Sequence, residues 1–363
     1  MSGIHKLLAA LLALLALALV TPPPQPLGPP PGQRHGRAAL GFFTQQLYGE
    51  RPVAPGEVYQ SGYTGAGVRV AVVDSGADYL HPDLAGAVEC LVSFTVLSGG
   101  RPLVWCAGVN GTLRQAYEYE QTVYSLTGRY PWLDEHGHGT HVAGTIAGSG
   151  AASGGRYRGV APGARLWVVK VFDAKGEAST STIVAALRYL ASAPVDVVNL
   201  SFGAEEDDPA LRDAVERLAA AGKVVVAAAG NAGQYPYSVT YPARYDRVVA
   251  VAAVLRDGRP APFSSMGGPG VEKPDAAALG VAVVAPMPRY TVTIEAARLN
   301  EYYGALSGTS MACAVASGLL ALWVEAVGRA AVAEPGFARL RSAPANPFPV
   351  RTYSAGWGLL LPP

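Results

Sequence analysis

Charged side chains are scarce in this sequence: Asp, Glu, Lys and Arg make up 15% of its 363 residues, against roughly 25% in an average soluble chain. The two signs nearly cancel, leaving a formal net charge of +1. With no basic stripe to neutralise phosphates, nucleic acid is not an expected partner. Apolar runs long enough to span a bilayer are not expected beyond the first twenty residues. No internal repeat is visible, and no G-x-G-x-x-G turn follows the first strand-like run, which argues against a nucleotide-binding enzyme. Methionine (4) and asparagine (five) are few, but so low a charge content does not supply the ion-pair networks associated with heat resistance. Cysteine is limited to Cys90, Cys106 and Cys313. An odd count allows one disulfide and a leftover thiol, with Cys90 and Cys106 near enough in sequence to close a small loop. It equally allows three free thiols that act as small buried hydrophobes.

Apolar and small residues are abundant instead: half the chain is hydrophobic, with 43 Gly and 29 Pro. This suits a large, closely packed domain with many turns. At the amino end His5 and Lys6 precede the apolar run Leu7 to Val20, and Ala16-Leu17-Ala18 offers a small-x-small cleavage site. Residues 1–18 therefore read as a secretory signal peptide, with an uncleaved anchor as the alternative, and a secreted protein without stable membrane association is expected. Residues 19–55 form a Pro/Gly-rich segment without apolar periodicity, read as a linker.

From residue 56 onward the pattern is that of one domain. The β-rich runs "VRVAVVD", "LWVVKVFD", "VDVVNLSFG", "KVVVAAAGN" and "VVAVAAV" alternate with "STIVAALRYLASA" and "PALRDAVERLAAAG", which have helical spacing. Continuous apolar strands alternating with helices predict a three-layer α/β domain with a mostly parallel central sheet covered by helices on both faces. Chemistry in such sheets sits at the carboxyl ends of the strands. Asp74, Asn199, Ser201 and Asn231 fall there.

Three stretches combine into a candidate site. Asp74 enters a Ser-Gly turn in "AVVDSGADYLHPDL", His138 stands among glycines in "DEHGHGTHVAGTIAG", and Ser310 opens a small-residue helix in "YGALSGTSMACAVASG". A serine hydroxyl is a poor nucleophile until a base takes its proton and a third group fixes that base's tautomer, and Asp, His and Ser are the residue types that do this. His136, His138 and His141 together invite a zinc reading, but the glycines beside His138 and the matching serine block favour the triad. Asp78 and Asp83 read as loop carboxylates.

These segments, with "GVAPGARLWVVKVFD", "VVVAAAGNAG" and "YPARYDRVVAVAAV" between them, occur in the order of the subtilisin-like serine proteases, the subtilase family, and the resemblance covers most of residues 56 to 323. It implies the subtilisin-like fold and a serine endopeptidase acting on protein or peptide substrates, expected as a monomer and needing no cofactor for its chemistry. By resemblance Asp74, His138 and Ser310 are the catalytic residues, and Asn231 with the Ser310 backbone N–H forms the oxyanion hole. Ser201, Phe202 and Gly203, with Ala228, Ala229 and Gly230, are the substrate-binding segments, leaving room for a large apolar side chain. Asp83 is a weak calcium candidate, since "AGSGAASGGRYRGVAP" lacks the Asp, Glu or Asn that would complete a site; Asp207 and Asp208 are an alternative. The other reading is a catalytically impaired or non-catalytic peptide-binding descendant of the same fold.

Three departures from the family pattern stand out. Between Asp74 and His138 lie 63 residues, an insertion at about 90–130 read as a lid, a substrate wall or a structural flap. Residues 19–55 are too short for a folded inhibitory prodomain, so a shorter propeptide within "ALGFFTQQLYGE" is the alternative to a plain linker. Cys313-Ala314-Val315 replaces the usual Thr-Pro-His, which predicts a straighter helix behind Ser310 and an inert core thiol at Cys313.

Overall fold

The computed structural model describes residues 37–40, 46–334, 337–340, 342–343, 354–356 and 358–363; the expected signal peptide and most of the expected linker lie outside these described residues. In chain order the first half comprises β1 (Arg37–Ala39), α1 (Pro55–Val58), β2 (Arg69–Asp74), β3 (Val88–Ser93), β4 (Leu103–Cys106), α2 (Leu113–Thr127), α3 (His138–Ala147) and β5 (Arg165–Lys170). The middle holds β6 (Glu177–Ser179), α4 (Thr180–Ser192), β7 (Val197–Leu200), α5 (Pro209–Ala220), β8 (Val224–Ala228) and β9 (Val249–Val254). Then follow β10 (Ala276–Leu279), β11 (Val283–Pro286), β12 (Ala297–Arg298), β13 (Tyr303–Leu306), α6 (Thr309–Val327), α7 (Arg329–Val332), α8 (Phe337–Leu340), β14 (Ser342–Ala343) and β15 (Leu359–Leu360).

Ten strands form the main sheet in the order β14-β15-β10-β9-β8-β7-β2-β5-β3-β4. Every neighbouring pair from β15 to β3 is parallel, and the antiparallel pairs β14/β15 and β3/β4 close the two edges. Alternate side chains of one strand serve opposite layers, as the pleat requires. Val70 and Val72 join an apolar cluster with residues of α3 and α6, whereas Ala71 and Val73 join one with α4 and α5. The helices start where local chemistry supplies acceptors for their first N–H groups: Ser179 caps α4, and Asp208, followed by Pro209, caps α5.

Helix α6 is buried almost all round, which marks the central helix of a core. It is also long and apolar enough to cross a membrane, a property not expected from the sequence inside the domain; here the protein interior takes the place of lipid. It runs unbroken through Ala314, as the missing proline predicts.

The insertion is built into the fold. Its strands β3 and β4 pair antiparallel with Cys90 opposite Cys106, and those two form a disulfide while Cys313 stays free and buried. Trp105, Ala116, Tyr119 and Val123 from β4 and α2 enter the same core as α3 and α6. A three-stranded sheet, β11-β13-β12, flanks α3.

Candidate active site

Asp74 ends β2, which lies between β5 and β7 and so at the point where the chain's strand order reverses. Crevices at such points hold ligands in open α/β sheets. Two glycines let other backbone approach this turn. Gly76 adopts a φ of +104°, and any side chain on Gly139 would strike the Gly76 carbonyl. The His138 Nδ1 lies 2.9 and 3.0 Å from the two Asp74 oxygens, and both side chains are fully buried. With Nδ1–H donating to the carboxylate, Nε2 is the basic nitrogen.

Sequence reasoning missed the groups that aim this pair. Asp134 accepts from the His136 and Gly137 N–H groups at 3.2 and 2.7 Å, and from the Thr140 N–H and hydroxyl at 2.8 and 2.6 Å, which caps α3. It also accepts the Ser75 hydroxyl at 2.8 Å. Glu120 of α2 is fully buried and takes the Tyr79 hydroxyl (2.6 Å) and the Trp132 and Leu133 N–H groups (2.6 and 2.7 Å). Burial pushes its carboxyl up, and these donors oppose the shift. Lys170 at the end of β5 holds the Tyr130 and Leu133 carbonyls and the Glu135 carboxylate. The loop between β11 and β12 packs on the same stretch, with Thr293 and Ile294 donating to the Glu135 and His136 carbonyls and Arg289 pairing with Asp78.

Ser310 is the second residue of α6, and α6 packs against α3. Its hydroxyl donates to the Ser201 carbonyl at 2.9 Å, while the Ser201 hydroxyl lies 3.0 Å from the Ser310 carbonyl and 3.0 Å from Asn199 Oδ1. Asn199 Nδ2 in turn reaches Cys313 Sγ and Ser317 Oγ. Burial pushes the Cys313 thiol up to about 12, which keeps it a neutral packing group. Thr309 donates both its N–H (3.0 Å) and its hydroxyl (2.8 Å) to Asn231 Oδ1. The Asn231 oxygen is thereby committed, and its Nδ2 is the end left to meet a ligand.

Ser201, Phe202 and Gly203 follow β7, and Ala228 to Gly230 close β8, so the two expected binding segments lie on adjacent strand ends. All six residues are buried, and Phe202 turns into the core against Phe172. The space beside Gly230 is bounded by Thr240 and Ser265. A third edge escaped the sequence analysis: β1 pairs antiparallel with β6, and the Leu40 N–H continues the ladder to the Gly176 carbonyl. A side chain on Gly176 would meet both Leu40 and His136, which puts this ladder beside the histidine loop.

Residues 65–358 match the model of the subtilase family. Subtilisin NAT of Bacillus subtilis subsp. natto is 35% identical over 277 residues, 76% of this chain and 60% of that protein. The chain belongs to the subtilase family. A subtilisin of Bacillus pumilus is 34% identical over 277 residues, 76% of this chain and 83% of its own length. The solved structure of the S41 psychrophilic protease is similar at a TM-score of 0.66 and 28% identity, covering 88% of this chain and 99% of its own.

In this subtilase the calcium candidates have other partners. Asp83 accepts from the Tyr303 hydroxyl (2.8 Å) and the Ala152 N–H (2.9 Å), Asp208 caps α5, and Asp207 takes the Tyr245 hydroxyl and pairs with Arg212. Among the described residues no three His, Cys, Asp or Glu side chains converge as a metal site would require. His141 and His138 engage different partners: His141 Nε2 lies 3.0 Å from the Val283 carbonyl, and His138 Nδ1 faces the Asp74 carboxylate.

Proposed function

We propose that this subtilase is a secreted, monomeric serine endopeptidase that hydrolyses peptide bonds in proteins through an acyl-enzyme. The observation that carries the reading is the fully buried Asp74–His138 pair, joined at 2.9 and 3.0 Å, with Ser310 at the start of the packed helix α6. In the proposed reaction His138 Nε2 takes the Ser310 hydroxyl proton, Ser310 Oγ attacks the scissile carbonyl, and Asp74 stabilises the imidazolium. The tetrahedral oxyanion accepts from Asn231 Nδ2 and from the Ser310 N–H, one of the unpaired donors at a helix start. His138 then protonates the leaving amine, and water releases the acyl group by the same steps in reverse. No metal or cofactor enters this chemistry.

An extended substrate pairs with residues 201–203 and with the β6 edge, where the chain's own residues 37–40 already lie as a strand. Its backbone N–H takes the Ser201 carbonyl, and the released Ser310 hydroxyl turns to His138. We read residues 1–18 as the secretory signal and 19–55 as the linker or short propeptide, with this strand lying within it. The Cys90–Cys106 disulfide supports passage to an oxidising compartment.

The hydrogen bond from Ser310 to Ser201 also favours the second reading, a peptide-binding descendant, because a hydroxyl retained there is no nucleophile. Treatment of the folded protein with a serine-directed organophosphorus reagent separates the two. The peptidase reading expects one covalent adduct, mapped to Ser310 and absent from His138→Ala; a folded protein that stays unlabelled means that the descendant reading holds.

A further inference from the structure

Ser75 stands between two buried carboxylates and has one hydroxyl proton to give. Its Oγ lies 2.8 Å from Asp134 Oδ1 and 3.2 Å from Asp74 Oδ1, and it accepts the Gly139 N–H at 3.0 Å. Ser75, Asp74 and Asp134 are all essentially solvent-free. A hydroxyl donates once, and a hydrogen bond to a carboxylate strengthens as it shortens, so the contact to Asp134 is the one that holds the proton.

We propose that Asp134 is a positioning residue of the catalytic reaction: by drawing the Ser75 hydroxyl proton to itself, it leaves the Asp74 carboxylate undiluted to hold the His138 imidazolium. All five of Asp134's close partners are donors, an arrangement that a carboxylate satisfies and a carboxamide does not. The same residue therefore fixes the start of α3, which carries His138, and the electrostatics of the acid behind it. If the Ser75 proton turned to Asp74, that carboxylate would gain a second neutral donor beside the Ser75 N–H at 2.8 Å, and its pull on the charged imidazole would weaken. Low local dielectric makes that change larger than it would be in water.

The inference rests on the triad reading, and its test is built to fail separately from it. Asp134→Asn should lower kcat on the order of tenfold with KM little changed, the loss expected from redirecting one hydrogen bond at a charged group. In a Ser75→Ala background no hydroxyl exists to be redirected, so the Asp134→Asn factor should shrink to about twofold. An equal factor in both backgrounds would make Asp134 a helix cap only and overturn the proposal. Should Asp134→Asn fail to fold, neutron diffraction from the perdeuterated wild-type enzyme decides the matter without a variant. Deuterium on the Ser75–Asp134 line supports the proposal, and deuterium on the Ser75–Asp74 line overturns it. The deuterium position can be read even if Ser310 proves unreactive, so the two readings are judged independently.

Discussion

His141 shows how one side chain serves the fold beside a site it resembles. Three residues beyond His138 on the same helix, it is fully buried against the Val283 carbonyl, and burial lowers its pKa to about 3. In the unfolded chain the imidazole titrates near its ordinary value of about 6.5. Below that value the unfolded chain binds a proton that the folded chain refuses, so stability falls as pH drops from about 6.5 towards about 3 and levels below it. The full difference is on the order of 5 kcal/mol. His141→Gln should therefore show a shallower loss of urea midpoint across that interval, and superimposable acid limbs in variant and parent would contradict this account. At this scale Asp74, His138 and Ser310 stood out as a candidate site because each sits in a short stretch of glycines and small residues that few other purposes require, and Asn231 joined them by the family resemblance. Asp134, Thr309, Glu120 and Lys170 were not. They act on backbone N–H and carbonyl groups or on partners distant in sequence, and such contacts leave no local pattern.

Among the elements, the insertion between Asp74 and His138 divides into a part that the sequence announced and a part that it hid. Its length and its two cysteines were visible, but its destination was not, because an edge strand of four residues carries too short an alternation to be assigned. Packing reveals the role. Tyr119 stacks on Trp132, Trp105 packs edge-on to Trp132 and tilted on Tyr119, and Glu120 ties α2 to residues 132–133. The insertion thus shapes the site from behind. The disulfide spans a sequence separation of 16, for which the loop-closure model gives about 3 kcal/mol. A Cys90→Ala/Cys106→Ala double variant should lose about that much stability in urea, with the transition still single. An unchanged midpoint would mean that the core contacts of β4 and α2 suffice alone. Helix α6 is the reverse case: its opening run of small residues and its missing proline were visible, whereas its full length to Val327 was not; within it Gly318 meets Val160 too closely for any side chain.

For the whole molecule, the parallel sheet was the most legible feature. Runs such as "VRVAVVD" are apolar on both faces because two layers of helices cover them, as parallel sheets of α/β proteins require. The carboxyl ends of β2, β7 and β8 then bring Asp74, Ser201 and Asn231 to one side, as the rule for open sheets requires. What stayed illegible lies at the margins. Arg-Ala-Ala of β1 has no apolar pattern, and β11, β12 and β13 are runs of only four, two and four residues, too short for a clear alternation. Yet β1 on β6 places a strand of the chain itself beside the histidine loop. The central claim, a Ser310-dependent endopeptidase, is tested most directly by digesting a proteome-derived peptide library with the wild-type enzyme and with Ser310→Ala. The account predicts internal cleavages by the wild type that are absent from the variant. Equal product sets, or none from a correctly folded wild type, would contradict it.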